Sequence, residues 1–314
     1  MNQKAMLGLA VLAVLMTAML LVSEEAPGPG VTGEKFLPGL AAELPSSEHI
    51  TISKGDDAVN LILDGETWGV AEREGYPADQ QKLSQLTRSL AAAGILERKT
   101  ARPENHGRLD LDEENATRLA IELPDRTLAL FFGKAPSLGE GVFVRRDGDD
   151  QAWLIDQAPD LLLDPAAWLK PVVVDVDAES ISRVELRDAE GASVLTVSSE
   201  TDSDNLRLEN LPADRELRYG TITNPFRQAL TNLRLEDVAR HDPARFEGAR
   251  TAIFETTAGV ITVFAIEADA RRWIHLAGTG DDVADWDYAV AEYVFDDFVK
   301  ELEDLLKPLP EEEA

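Results

Sequence analysis

Short runs in which every second residue is apolar begin near His49, and this alternation predicts β-strands. Residues 50–52 and 59–63 form two such runs, and residues 54–57 between them have the composition of a hairpin turn. A further predicted strand carries Trp68. The pattern therefore predicts a small antiparallel sheet at the start of the folded region.

The spacing changes to that of a helix after Tyr76. Pro77 suits a helix start, and Asp79 places negative charge at the positive end of the helix dipole. The apolar residues that follow lie three or four positions apart: Leu83, Leu86, Leu90 and Ala93. This stripe predicts an amphipathic helix that covers one face of the sheet and ends near Gly94.

More strands are predicted after this helix. Four alternating runs follow in two hairpin-like pairs: 118–123 with 127–132, and 141–146 with 151–155. A short helix or turn over residues 160–169 then closes the first half of the chain near Pro171.

The second half of the chain repeats this order of elements. Residues 183–186 and 193–197 give another hairpin pattern, and Tyr219 stands before a second predicted helix. The apolar positions of that helix match the first half at a constant offset: Phe226, Leu230, Leu233 and Leu235 against Leu86, Leu90, Ala93 and Ile95. A longer C-terminal helix around residues 293–306 corresponds to the short element at 161–168. Such a repeat indicates a duplicated module.

These patterns predict the α+β class. We expect two repeated lobes, over residues 48–171 and 178–307, each with a mainly antiparallel sheet and one packed helix. Residues 308–314 form an acidic tail.

The N-terminus predicts a membrane anchor. Residues 5–22 carry no charge, and a helix of that length spans about 27 Å, close to the hydrocarbon thickness of a bilayer. Lys4 precedes this stretch and two glutamates follow it, so residues 1–4 are expected in the cytoplasm and the bulk of the chain outside. A cleaved secretory signal is the alternative, but no good small-x-small cleavage site follows. Residues 23–47, rich in Pro, Gly and Glu, are expected to form a flexible linker.

Composition excludes several functions. The chain has 30 basic and 59 acidic residues, for a formal charge of -29. The resulting field repels phosphate backbones, so no nucleic-acid partner is expected. The sequence contains no cysteine. This excludes disulfides, thiolate metal sites, cysteine nucleophiles and a lipid-modified N-terminal cysteine.

No motif assembles a catalytic, cofactor or metal site. The glycines at 28, 30 and 33 formally match the dinucleotide fingerprint, but they do not stand between a strand and a helix. A Walker sequence and a nucleophile elbow are both missing. The chain is expected not to be an enzyme, although its 59 acidic residues leave a carboxylate-based envelope hydrolase open. The histidines lack metal-ligand spacing and are expected to be ordinary surface or interdomain residues: His49, His106, His241 and His275.

Several weak motifs occur in a specific order. They are Trp68, Tyr76-Pro77-Ala78-Asp79, Phe132-Gly133-Lys134, Val142-Phe143-Val144-Arg145, Trp153-Leu154-Ile155 and residues 164–169. This order resembles the membrane-anchored bacterial family called domain of unknown function 4340. The resemblance implies an extracytoplasmic accessory role, because members are commonly encoded beside ABC transporters of the gliding-motility (Gld) type, and it implies no activity. The chain departs from the family pattern at residues 106–111, where Gly-Leu and then Pro are usual, and leucine stands in the second half where the first has Trp68.

Two functional hypotheses follow. The first is a single-pass accessory protein of the bacterial inner membrane whose periplasmic bulk contacts an ABC transporter permease or auxiliary subunit. The second is a periplasmic module that binds a glycan, peptide or lipid in the cleft between the lobes. Neither requires a cofactor. Trp68, Trp153 and Trp168 could line a ligand groove or fill small cores. The candidate structural or interaction positions are Trp68, Tyr76, Pro77, Asp79, Trp153, Trp168 and Tyr219.

Overall fold

The computed structural model describes residues 33–200 and 203–308. The predicted membrane anchor, the first part of the predicted linker and nearly all of the acidic tail lie outside the described residues. Within those residues, no helix is both long enough and apolar enough to cross a membrane.

Residues 33–171, the first half of the chain, build one antiparallel sheet. Its strands lie in the order β4-β3-β2-β1-β6-β7-β8-β9-β5. Their bounds are β1 (His49–Lys54), β2 (Asp57–Asp64), β3 (Thr67–Val70), β4 (Tyr76–Pro77), β5 (Ile95–Arg98), β6 (Thr117–Leu123), β7 (Arg126–Phe132), β8 (Val142–Arg146) and β9 (Ala152–Ile155). Two α-helices accompany the sheet, α1 (Leu40–Glu43) and α2 (Gln80–Ala92).

Residues 172–308, the second half, build another antiparallel sheet in the order β13-β12-β11-β16-β17-β18-β19-β15, and β10 pairs with β14 beside it. The strands are β10 (Val172–Val174), β11 (Ile181–Arg187), β12 (Ser193–Glu200), β13 (Ser203–Leu208), β14 (Leu233–Arg234), β15 (Asp237–Arg240), β16 (Arg250–Thr256), β17 (Gly259–Ala268), β18 (Arg271–Ala277) and β19 (Trp286–Ala289). The helices are α3 (Pro225–Gln228), α4 (Asp281–Ala284), α5 (Glu292–Val299) and α6 (Leu302–Leu305). Apart from β4, this sheet has the strand order of the first. The predicted α+β class is confirmed.

The alternation of apolar and polar residues explains the hairpin formed by β1 and β2. Ile50 pairs with Leu61 and Ile52 with Val59 across β1 and β2, and all four side chains are fully buried. The turn contains Gly55, whose φ of 58° favours glycine. The predicted pairings of β6 with β7 and of β8 with β9 are likewise present.

Helix α2 follows the predicted stripe. Leu83, Leu86 and Leu90 are its buried residues and join the main hydrophobic cluster with the apolar side chains of β1 and β2. Asp79 caps the helix, since its carboxylate accepts hydrogen bonds from the backbone N–H groups of Gln81 and Lys82 at 2.9 and 3.3 Å. The cap satisfies donors that the first helical turn leaves unpaired.

The prediction of a second helix like α2 in the second half is wrong about its length. Only α3, a single turn, is regular, and Leu233 lies in β14 instead. Side chains before the turn bind strand β13: the Thr223 hydroxyl donates to the Leu206 carbonyl oxygen at 2.6 Å, and Asn224 Oδ1 accepts from the Leu206 N–H at 3.3 Å. Such side-chain bonds to the backbone compete with helix formation.

The predicted C-terminal helix is also interrupted. Lys300 and Glu301 adopt extended ψ angles of 142° and 157°, which separate α5 from α6. Glu301 and Asp304 form a reciprocal capping box that starts α6. In the first half, the predicted element at 160–169 is a 3-10 turn over Pro165–Trp168.

The predicted linker is wrong from residue 33 onward. Phe36 and Leu40 are each only 1% exposed. The segment pairs with the start of β5, since Gly33 N–H donates to the Ile95 carbonyl and Ile95 N–H donates to that of Glu34, both within 2.9 Å. Arg146 covers the Phe36 ring at 4.5 Å and donates to its carbonyl. Burial of the Phe36 and Leu40 side chains stabilises the packing of this segment on the core.

The two halves share one hydrophobic cluster. Tyr76 stands edge-on to Trp286, with ring centroids 5.1 Å apart. Beside this contact, Arg73 binds both carboxylate oxygens of buried Asp237 at 2.5 and 3.1 Å, and Arg271 pairs with the same carboxylate. The proposed boundary between the lobes stays a prediction, because the shared cluster contains residues of both halves.

Replacing Arg73 by methionine should lower the free energy of unfolding. We expect a loss of about 2–3 kcal/mol, less than the roughly 3–5 kcal/mol for an uncompensated buried charge, because Arg271 still pairs with Asp237. Urea denaturation checks this against Arg126→Met, which removes a more exposed ion pair with Glu43 and should cost less than about 1 kcal/mol. Equal losses in the two variants would contradict the interpretation.

Candidate functional site

Five of the predicted positions come together where α2 begins. Backbone hydrogen bonds connect them: Ala78 N–H donates to the Trp68 carbonyl at 2.7 Å, Asp79 N–H to that of Trp168 at 2.7 Å, and Lys170 N–H to that of Pro77 at 2.8 Å. The stretch from β3 to α2 is therefore tied to the end of the first half.

Most of these side chains have structural roles. Trp168 is 1% exposed, and its Nε1–H donates to the Leu162 carbonyl at 2.9 Å. Tyr76 is buried against the second half, and burial raises the pKa of its hydroxyl. Asp79 is the cap of α2, and Pro77 pairs with Gly69 in the short β4. Trp168 and Tyr76 are therefore both part of the main hydrophobic cluster.

Trp68 has a different environment. Its side chain is half-buried and lines a cavity of about 340 Å³ between the segment that follows α1, the sheet and helix α2. The walls include Leu44, Leu63, Leu83 and Thr87, and exposed Arg88 lies at the cavity as well. We call this cavity the Trp68 groove. Its apolar walls with a few polar groups suit a binding site.

The remaining two predicted positions lie elsewhere. Trp153 is in β9 and packs against the main cluster. Tyr219 is 58% exposed and precedes the irregular turns that lead to α3. Neither lines the Trp68 groove.

A second cluster, which sequence reasoning missed, lies on the second sheet. His241 follows β15, His275 is in β18 and Asp287 is in β19. The imidazole rings stack with centroids 3.7 Å apart. Asp287 Oδ1 lies 2.6 Å from His241 Nδ1 and 3.3 Å from His275 Nδ1. We call these three residues the His-Asp cluster.

The other oxygen of the fully buried Asp287 is also occupied. Oδ2 accepts the Asp242 N–H at 3.0 Å and forms an ion pair with Arg245. The Arg245 guanidinium stacks on Trp273 at 4.4 Å. Burial by itself would raise the pKa of Asp287, but hydrogen bonds from His275 and His241 outweigh it and hold the pKa below its ordinary value.

The first sheet lacks such a cluster at the corresponding positions. Phe264 pairs with His275, and His275 pairs with Asp287. In the first sheet, the matching pairs are Phe131 with Arg145 and Arg145 with Ala152. The repeated fold therefore does not itself require a histidine and an aspartate here.

The cluster escaped prediction because its members lie on separate elements and show no short spacing. One signal was present in the sequence: His275 and Asp287 each interrupt an apolar strand, at Trp273-Ile274-His275-Leu276 and Trp286-Asp287-Tyr288-Ala289. Of the other histidines, His106 is buried and lies 2.8 Å from the Asp150 carbonyl oxygen, and His49 pairs with Glu122.

The contribution of Asp287 to stability should depend on pH. A carboxyl whose pKa is lower in the folded state stabilises it above the unfolded aspartate pKa of about 3.9, and this stabilisation disappears as the pH falls through the folded value. The difference in unfolding free energy between the native protein and Asp287→Asn should therefore be large at pH 6 and shrink below about pH 4. Urea denaturation across this range tests it, with the exposed turn variant Asp56→Asn as control. A difference that does not vary with pH would refute the prediction.

Comparison with known proteins gave one family. A family model described as Domain of unknown function (DUF4340) matches residues 68–251, more than half of the 314-residue chain. No curated protein and no solved structure matched. The matched range begins at Trp68 and includes α2 and the groove wall that it provides, but it ends before His275 and Asp287. The chain belongs to the DUF4340 family.

Proposed function

We propose that this protein is a membrane-anchored accessory protein that acts by binding other proteins outside the cytoplasm. Its partner in this proposal is an inner-membrane permease or an auxiliary subunit of a Gld-type ABC transporter. The uncharged stretch at residues 5–22 supports the anchor, and membership in DUF4340 supports the accessory role.

The Trp68 groove is the observation that carries the proposal. A half-buried tryptophan in a concave apolar site is typical of the anchor points that dominate binding energy at protein interfaces. Leu63 of the neighbouring strand β2 pairs with Trp68, lines the same groove and adds apolar surface. An apolar segment of a partner protein could bury this surface together with Trp68.

The position of the groove along the chain favours a partner in the same membrane. The predicted anchor ends at residue 22 and the groove lining begins at Ala41. Even fully extended, the chain between them reaches only roughly 65 Å. The groove is therefore restricted to the neighbourhood of the bilayer in which the anchor would lie.

The alternative, a ligand module with its site between the halves, has less support. The place where the halves meet is filled by Tyr76 and Trp286 and by the Arg73–Asp237 pair. The Trp68 groove lies wholly within the first half.

Photocrosslinking in intact cells tests the proposal. A photoreactive residue at Arg88, which lines the groove, should capture a transporter permease or auxiliary subunit, identified by mass spectrometry. The matched control is Gln228, an exposed position on α3. Capture of the same abundant envelope proteins at both positions would count against the accessory role.

A blocking variant localises the interaction. Ser84 is exposed and lines the groove, so Ser84→Tyr should place a ring in it and reduce partner capture at least tenfold without removing a core side chain. Gln81→Tyr adds the same ring to an exposed position of α2 that does not line the groove, and capture should be unchanged. Circular dichroism confirms that both variants fold. Unchanged capture in Ser84→Tyr would rule out the groove as the binding face.

A further inference from the structure

We propose that the His-Asp cluster binds one divalent transition-metal ion of the zinc class. The ligands would be Nδ1 of His241, Nδ1 of His275 and Oδ1 of Asp287. This site is separate from the Trp68 groove, so the inference does not depend on the proposed partner.

The three donor atoms already converge. They all lie within 4.8 Å of one another, and the two imidazole Nδ1 atoms lie 2.6 and 3.3 Å from the same carboxylate oxygen. Ligands bound to zinc at about 2.0–2.2 Å in a tetrahedral site are separated by roughly 3.3 Å. The pair formed by His275 and Asp287 has that separation, at 3.3 Å, and the pair formed by His241 and Asp287, at 2.6 Å, must open by roughly 0.7 Å.

His241 has the freedom to make this adjustment. It lies just beyond the end of β15, and its side chain is 27% exposed, whereas those of His275 and Asp287 are 9% and 0% exposed. Two ligands are thus held by neighbouring strands, and the third closes the site from the surface. Three protein ligands leave at least one coordination position for water or another small ligand.

The hydrogen-bond partners of the Asp287 carboxylate are compatible with its role as a metal ligand. Asp242 N–H and Arg245 hold Oδ2, which leaves Oδ1 for the ion. Ligating carboxylates usually carry such outer hydrogen bonds, which fix their orientation. The positive charge of Arg245 disfavours a second cation nearby. However, Arg245 binds Oδ2 and not Oδ1, and the chain as a whole carries a charge of -29, which attracts cations.

In the metal-free protein, protons take the place of the ion. His241 Nδ1–H then donates to Asp287, and His275 Nδ1–H is shared between the Trp286 carbonyl oxygen at 3.1 Å and Asp287 Oδ1 at 3.3 Å. Metal binding must displace these protons, because imidazole coordinates through an unprotonated nitrogen. The competing interpretation is a purely hydrogen-bonded cluster, and titration with metal separates the two.

The test uses full-length protein in detergent, without a polyhistidine tag and stripped of metal with a chelator. Calorimetric titration with Zn²⁺ should show one saturable equivalent, and Co²⁺ should give the visible absorption bands of a low-symmetry site with nitrogen and oxygen ligands. His241→Gln should weaken binding of both ions by 10-fold to 100-fold, and the partial exposure of this position makes misfolding a small risk. Asp287→Asn should do the same.

His49→Gln is the matched control, because His49 is also partly exposed and paired with a carboxylate but has no second histidine beside it. It should retain one equivalent with unchanged affinity. Binding that is absent from the native protein, or that His241→Gln and His49→Gln leave equally strong, would overturn the proposal. Circular dichroism and thermal unfolding of each variant show whether a loss of binding reflects the ligand or the fold.

Discussion

The structure depends on the burial of one hydrophobic cluster by two sheets. Side chains alternate across a strand, so each sheet presents one apolar face to this cluster and one face elsewhere. Ile50 and Leu61 of the first sheet and Val184 and Phe254 of the second all belong to the cluster. Arg73 and Asp237 lie where the halves meet, and their charges are tolerated because each has its partner.

The outer faces of the two sheets have diverged. In the first sheet this face carries a small apolar cluster that includes Phe131, Phe143 and Leu154. In the second sheet, the corresponding area holds His275 and Asp287, with Arg245 and Trp273 beside them. A face that the shared core does not constrain can exchange an apolar cluster for a polar one without changing the order of strands. The groove and the His-Asp cluster therefore lie on different halves of a common framework.

Much of the framework was predictable because it follows local rules. Alternation and turn residues gave the hairpins, and leucine spacing gave α2 with its Asp79 cap. The single turn at α3 was not predictable, since it arises from hydrogen bonds between Thr223 and a distant strand. For the same reason His241, His275 and Asp287 could not be grouped from sequence, whereas Trp68 could be proposed as a groove residue from its place at a strand end.

The short segment that precedes α1 has a mechanical consequence. Residues 33–36 run antiparallel to residues 93–95, and the Arg146 guanidinium covers the Phe36 ring. A force applied to the N-terminal end of the folded region, along the direction of this segment, would act on all of its hydrogen bonds at once, in shear. In a hairpin that is unzipped from its open end, the hydrogen bonds instead break one after another. Force would thus enter at the edge strand β5, beside helix α2. A segment arranged in this way transmits an applied force to the body of the protein before it detaches.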